Sequence, residues 1–248
     1  MAVLDAPVDV VDTAGALARM AEWARKRESR VVCACNVHSV VTARSDPLFM
    51  DALRQADLVV PDGEPVAWLL RSQGAKGQSR VSGPDLMLDY CAHAAAVQEP
   101  VYLYGSTAAT LDKLQSKLKE RWPTLRIAGA HAPPFRALTP EEEAQAVERI
   151  NKSGAHTVWV SLGCPKQELW MARQRGKVQA VMVGIGAAAD FHAGTRRRAP
   201  KWMQQRGLEW LHRMASEPGR LGERYLTTNV AFLWAAAGQW MGLRKPPR

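Results

Sequence analysis

Thr157-Val-Trp-Val-Ser161 is a short apolar run, broken by Gly163-Cys-Pro-Lys-Gln-Glu168 and followed by a helical pattern to Gln174. Its β-branched and aromatic side chains suit a buried strand. A proline near the first helical position suits a helix start. A second apolar run, Ala180-Val-Met-Val-Gly184, comes next. Strand, helix and strand in that order are the repeating unit of a parallel sheet.

Working outward, the same alternation recurs. Arg30-Val-Val-Cys-Ala-Cys35, Leu58-Val-Val60, Val101-Tyr-Leu-Tyr104 and residues 125–130 read as further strands. Between them lie helical patterns. Thr13 is a candidate N-cap for a helix with the apolar face Leu17, Met20, Trp23 and Ala24. Asp46-Pro47 opens a helix to about residue 56, and further helices are expected over 65–73, 83–97 and 107–121. Thr139 with Glu142 three residues on has the order of a capping box. The fold class is therefore α/β: a mainly parallel sheet with helices on both faces. After Gly186 the strands stop, and residues 201–242 read as helical and basic. The expected organisation is a catalytic-type α/β domain over 1–194 and a C-terminal helical appendage over 195–248.

The chain has 248 residues, 47% hydrophobic and 23% charged, enough to bury one sizeable core and not the composition of a fibrous or disordered polymer. Cys33, Cys35, Cys91 and Cys164 form no CxxC pair and have no histidines at ligand spacing, so reduced, mostly buried thiols are expected rather than a zinc site. Such thiols fit the cytoplasm. The first residues carry Asp5 and Asp9 and lack the basic start of a signal peptide. The longest apolar candidate for a membrane span, residues 230–241, is too short and includes Gly238 and Gln239. The net charge of +9 is unevenly placed. From Ala193 onward there are eleven Lys or Arg against three Glu, so the basicity belongs to the appendage. Trp202, Trp210, Trp234 and Trp240 lie there too, and the combination suggests an anionic surface as partner, membrane or nucleic acid.

In sheets of this kind ligands bind beyond the carboxyl ends of the strands, which ranks the candidates. Asp62 follows a strand within Pro61-Asp-Gly63; a carboxylate there can take a proton from an attacking hydroxyl, while an Asp-Gly pair equally suits a plain turn. Asn36 can orient a substrate hydroxyl or satisfy local backbone. Lys166 and the following helix start can attract phosphate, though no Walker spacing is present. Gly184-Ile-Gly-Ala-Ala-Ala189 matches GxGxxA on paper, but it follows the last strand and no βαβ unit remains downstream, so a close-approach turn is expected, with Asp190 as a ribose or base contact. Arg80, near the Gly83-Pro84-Asp85 helix start, can hold a phosphate or be an ordinary surface arginine. No DxD motif occurs, so no metal is implied.

Taken together these pieces resemble the WecG/TagA/CpsF family, glycosyltransferase family 26. The segments that carry the likeness are Asn36-Val-His-Ser-Val-Val41, Ala56-Asp-Leu-Val-Val-Pro-Asp-Gly63, Arg80-Val-Ser-Gly-Pro-Asp-Leu-Met87 and Tyr104-Gly-Ser106. They continue with Leu162-Gly-Cys-Pro-Lys-Gln-Glu168, Gly184-Ile-Gly-Ala-Ala-Ala-Asp-Phe191, Arg198-Ala-Pro-Lys-Trp202, and Gly207-Leu-Glu-Trp-Leu211 with Glu217-Pro218. Each is weak alone; their joint order over residues 30–232 is specific. The resemblance implies a Rossmann-like domain with a C-terminal helical appendage. It implies an inverting, metal-independent transfer of a hexose or N-acetylhexosamine (or its uronic acid) from a UDP-sugar to a polyprenyl-pyrophosphate-linked saccharide, in bacterial cell-surface or extracellular polysaccharide synthesis. Asp62 falls on the position of the general base, and Asn36, Arg80, Gln167 and Asp190 on positions lining the substrate pocket. The appendage is expected to dock peripherally on the inner face of the cytoplasmic membrane, with Arg213, Arg220 and Arg224 meeting the acceptor pyrophosphate. Ala34 stands where the family often has Thr, and His38 where it often has Glu; both bear on which sugar the donor carries. No cofactor is expected, and self-association is left open. Two rivals remain at this point: a basic nucleic-acid-binding protein and a dinucleotide-dependent oxidoreductase.

Overall fold

The computed structural model describes residues 1–217, 219, 228, 229, 231, 232, 234–236 and 238. The chain opens on a small antiparallel hairpin, β1 (Ala2–Val3) with β2 (Ala6–Pro7). Then follow α1 (Thr13–Arg25), β3 (Arg30–Cys35), α2 (Val37–Ser45), α3 (Pro47–Gln55), β4 (Leu58–Pro61), α4 (Glu64–Ser72) and α5 (Gly83–Val97). The second half holds β5 (Val101–Gly105), α6 (Ala108–Arg121), β6 (Ile127–His131), α7 (Pro140–Ser153), β7 (Thr157–Ser161), α8 (Lys166–Gln174) and β8 (Val181–Gly184). It closes with α9 (Ala188–His192), α10 (Lys201–Gln205) and α11 (Glu209–Ser216).

Six strands form one sheet in the order β4-β3-β8-β7-β5-β6, every neighbouring pair parallel. Period-two alternation divides the core into two layers. On one face Val31, Cys33, Cys35, Val158, Val160 and Met182 pack under α2, α3, α4, α7 and α8. On the other, Val32, Leu103, Trp159, Val181 and Val183 pack under α1, α5, α6 and α9. Strands covered on both sides need nearly continuous apolar sequence, which these runs supply. Trp159, Tyr104 and Phe49 are among the largest fully buried side chains, each contributing about 1.5–3 kcal/mol by leaving water. None of the four cysteines is in a disulfide; Cys33, Cys35 and Cys91 are buried and Cys164 is partly exposed.

This topology makes the crevice. After β3 the chain turns to α2 on one face, whereas after the neighbouring β8 it turns to α9 on the other. A cleft opens at the carboxyl end of adjacent strands whose connections diverge in this way.

Several local expectations are corrected. The cap of α1 is Asp12, not Thr13, because the Asp12 carboxylate accepts from the Gly15 N–H at 2.8 Å. The segment after Asn36 is a nine-residue helix, and the sixth strand begins at Ile127 rather than at residue 125. Helical structure from residue 201 is not continuous: Arg206-Gly-Leu208 separates α10 from α11, with Gly207 at φ +70° against the Glu64 side chain. The Asp46 cap and the Thr139–Glu142 capping box are present as expected. Phe232 is buried with Ala236 in the core, while Trp234 is exposed. Leu233 and Trp240 lie outside the described residues.

Candidate active site

The cleft at the carboxyl ends of the strands is a cavity of about 680 Å³. It is bounded by the segments after β3, β4, β5, β7 and β8 and, from the far side, by α10 and α11. Asn36, Asp62, Arg80, Lys166, Gln167, Asp190 and Arg213 all line it, as do Ala34 and His38. Arg220 and Arg224 lie outside the described residues.

Asp62 sits where β4 ends. Its backbone N–H donates to the Cys35 carbonyl at 2.9 Å, continuing the pairing of β4 with β3 for one more residue. The Asn36 amide donates to its carboxylate at 3.5 Å, and the Gly83 N–H also donates to it. Burial raises its pKa to about 6, and the nearby Glu209 carboxylate adds to the rise, against the opposing pull of Asn36, Arg80 and Gly83. A carboxyl at that value is ionised at neutral pH yet still a useful proton acceptor. The local reading of Asn36 is present: its Oδ1 accepts from the Ser39 N–H at 3.2 Å, capping α2.

Arg80 is no free surface arginine. It is 20% exposed and pairs with Glu209 at 3.5 Å and with Asp85 at 3.8 Å. Arg198 makes a fork with the Asp85 carboxylate, one arm at 2.9 Å, and donates to the Ser82 hydroxyl at 2.9 Å. Its Nε lies 3.6 Å from Glu209. Burial of Asp85 raises its pKa, but the Arg198 fork and charge outweigh that and hold it below the usual carboxylate range. Asp190, on α9, pairs with Arg196 at 3.7 Å. The Arg213 guanidinium lies over the Phe191 ring at 5.6 Å.

Gln167 is buried and engaged on both sides. The Gly186 N–H donates to its Oε1 at 3.0 Å, and its Nε2 donates to Glu168 at 2.9 Å. The Ser161 hydroxyl donates to the Gly186 carbonyl at 2.6 Å. This fastens the Gly184-Ile-Gly186 turn to β7 and α8. A Cβ on Gly184 would come within 2.9 Å of Gln167 Nε2 and Met171, so a larger residue there would push the Gln167 side chain from its place. The GxGxxA match thus marks a packed turn leading into a five-residue helix. Lys166 is exposed at the rim, and Phe135, 84% exposed, stands at the mouth.

A profile of the Glycosyl transferase WecG/TagA/CpsF family matches residues 1–246. The chain belongs to the WecG/TagA/CpsF glycosyltransferase family. It is accordingly a glycosyltransferase of cell-surface polysaccharide synthesis, acting in general on a sugar donor and a lipid-linked acceptor. Membership sets aside the nucleic-acid-binding and oxidoreductase readings. Among the described residues no helix is long and apolar enough to cross a membrane.

Two polar residues of the cavity wall, Glu209 and Glu168, were not singled out from the sequence although both stood inside quoted segments. The partners of Glu209, Arg80 and Arg198, lie elsewhere in the chain, and among the described residues Glu168 Oε2 is buried without a hydrogen bond. Burial raises the Glu168 pKa to about 7, against the lowering pull of Gln167 and its own backbone N–H.

Proposed function

We propose that the chain transfers a hexose or N-acetylhexosamine, or its uronic acid, from a UDP-sugar to a polyprenyl-pyrophosphate-linked saccharide, with inversion and without a metal. The observation that carries the reading is the Asp62 carboxylate set in the cavity with Arg80, Lys166 and Arg213 along the same walls. An acceptor hydroxyl oxygen attacks the anomeric carbon from the side opposite the UDP. The bond from that carbon to the diphosphate oxygen breaks, Asp62 takes the hydroxyl proton, and UDP leaves with the electron pair. A single displacement of this kind inverts the anomeric centre. The growing charge on the diphosphate needs fixed cations and backbone donors, a task that arginines can perform as well as a metal. Asn36 holds the carboxylate's orientation from β3. In this reading residues 195–248 act as an appendage that docks peripherally on the inner face of the membrane. Arg213, with Arg220 and Arg224, meets the lipid pyrophosphate.

The test is a screen of UDP-glucose, UDP-N-acetylmannosamine and its uronic acid with a lipid-pyrophosphate acceptor, run on the wild type and on Asp62→Asn. The variant should fold and bind UDP but turn over roughly 10²–10⁴-fold more slowly, the usual range for losing a general base. Near-normal turnover would remove Asp62 from the mechanism.

A further inference from the structure

Glu209, like Glu64 and Asp190, is a carboxylate on the wall of this cavity. A pocket for a diphosphate donor is ordinarily lined by cations, and a carboxylate on its wall opposes the substrate's charge. Glu209 opens α11, in the segment expected to supply arginines. It reaches Arg80 with one oxygen and the Arg198 Nε with the other, at 3.5 and 3.6 Å. The same two arginines also engage Asp85, so two cations and two carboxylates form a closed cluster beside Asp62. Asp62 itself has no ion pair with either arginine among the described residues, although Arg80, Arg198 and Glu209 all act on it through space. The buried Cys35 thiol is a further titratable neighbour, and it stays protonated because burial raises it.

We propose that Glu209 is a positioning residue of the transfer reaction: it holds Arg80 and Arg198 away from Asp62, so that the base keeps its affinity for the acceptor proton only while α11 is docked. The inference rests on Asp62 being the base. A guanidinium paired directly with a general base makes it a weaker one, because the ionised form is then favoured over the protonated form. Glu209 prevents this twice over, by occupying the arginines and by placing its own negative charge near Asp62. If α11 moves away, the charge of Glu209 is lost and Asp85 alone is left to engage the two arginines. The appendage thereby does more than roof the cavity. It sets the proton affinity of a residue on the opposite wall, and catalysis is tied to its seating.

The experiment is the pH dependence of kcat/KM and kcat for full-length wild type, Glu209→Gln, Glu209→Asp and Asp62→Asn, on the lipid-linked acceptor. Glutamine preserves the shape of a partly exposed side chain on α11, and thermal melting checks that each variant is folded. In Glu209→Gln the acid limb should move to lower pH by about one unit, the scale expected for losing one neighbouring charge in a partly screened site. Its plateau kcat should fall several-fold, as a weaker base implies. Glu209→Asp keeps the charge and should keep the limb near its wild-type position. An unmoved limb in Glu209→Gln, with Asp62→Asn inactive, overturns this inference and leaves the base assignment standing. Equal loss of rate at every pH in both Glu209 variants has the same consequence, since it describes a residue that only helps α11 pack. Near-normal turnover in Asp62→Asn overturns the base assignment, and the inference with it.

Discussion

Replacing Glu168 by glutamine should stabilise the protein at alkaline pH and leave it nearly unchanged at acid pH. Glu168 is buried at the start of α8, with Oε1 receiving the Gln167 amide and Oε2 lacking a hydrogen-bond partner among the described residues. Burial is the main cause that lifts its pKa from an ordinary 4.5 to about 7. Below pH 4.5 folded and unfolded chains both hold the proton, and the full stability is present. As pH rises the unfolded chain gives up its proton first, so stability declines until the folded carboxyl ionises near 7 and then levels. Each pH unit between the two values corresponds to about 1.4 kcal/mol, which makes the whole decline about 3 kcal/mol and the part between pH 5 and pH 8 about 2–3 kcal/mol. Glutamine has nothing to ionise, and its carbonyl oxygen can still accept from Gln167.

The assay is urea unfolding of both proteins at pH 5 and pH 8. Asp62, also raised, loses stability with pH in the same direction, but it is present in both proteins and drops out of their difference. The advantage of Glu168→Gln over wild type should therefore widen by about 2–3 kcal/mol between the two pH values. A constant difference would show that Glu168 is ionised throughout and reaches a compensating partner, and the account of α8 as holding a neutral carboxyl would be wrong.

The acid limb of kcat/KM should fall near pH 6, because Asp62 must be unprotonated to act and its pKa is raised to about 6 by burial and by Glu209; a profile flat down to pH 4.5 would contradict its role. UDP-sugar turnover should survive EDTA, and loss that Mg²⁺ or Mn²⁺ restores would show that the cations of the cavity do not suffice. The full chain should bind anionic vesicles and release them as salt rises, each basic residue at the surface contributing about 1 kcal/mol; salt-insensitive binding would point to apolar insertion through Trp234 and its neighbours instead.

The sheet was legible because its strands are covered on both faces and so read as unbroken apolar runs. The order of the site was legible too, since the post-strand turns of a parallel sheet converge on one edge. What stayed hidden has physical reasons. The Val37–Ser45 helix is rich in β-branched residues and has no distinct apolar stripe, so its start depends on the Asn36 cap. The β1–β2 strands have two residues each, too few for any period to show. Glu209 looks like a solvated helix charge until Arg80 and Arg198 are brought to it from elsewhere in the chain. The Arg198–Asp85 fork spans 113 residues, beyond the reach of any local pattern.

The basic C-terminal region needs a different account from the one its composition first suggests. From Ala193 onward eleven cations face three carboxylates, which reads as attraction to an anionic surface. Yet Arg198 is given over to Asp85 and Glu209, Arg196 to Asp190 and Glu217, and Arg213 lies over Phe191 on the cavity wall. Among the described residues Arg197, Lys201 and Arg206 are the exposed cations of that region. Two of its three glutamates, Glu209 and Glu217, are likewise spent on arginines of the same region. Among the described residues of the region, Arg196 and Arg213 line the cavity and Arg198 is paired beside it, while Arg197, Lys201 and Arg206 face outward. On the proposed function, attraction to a bilayer and recognition of a lipid-linked diphosphate would draw on separate sets of cations and should be weakened independently: substituting Arg197 and Lys201 should lower vesicle binding, and substituting Arg213 should lower turnover on the lipid-linked acceptor.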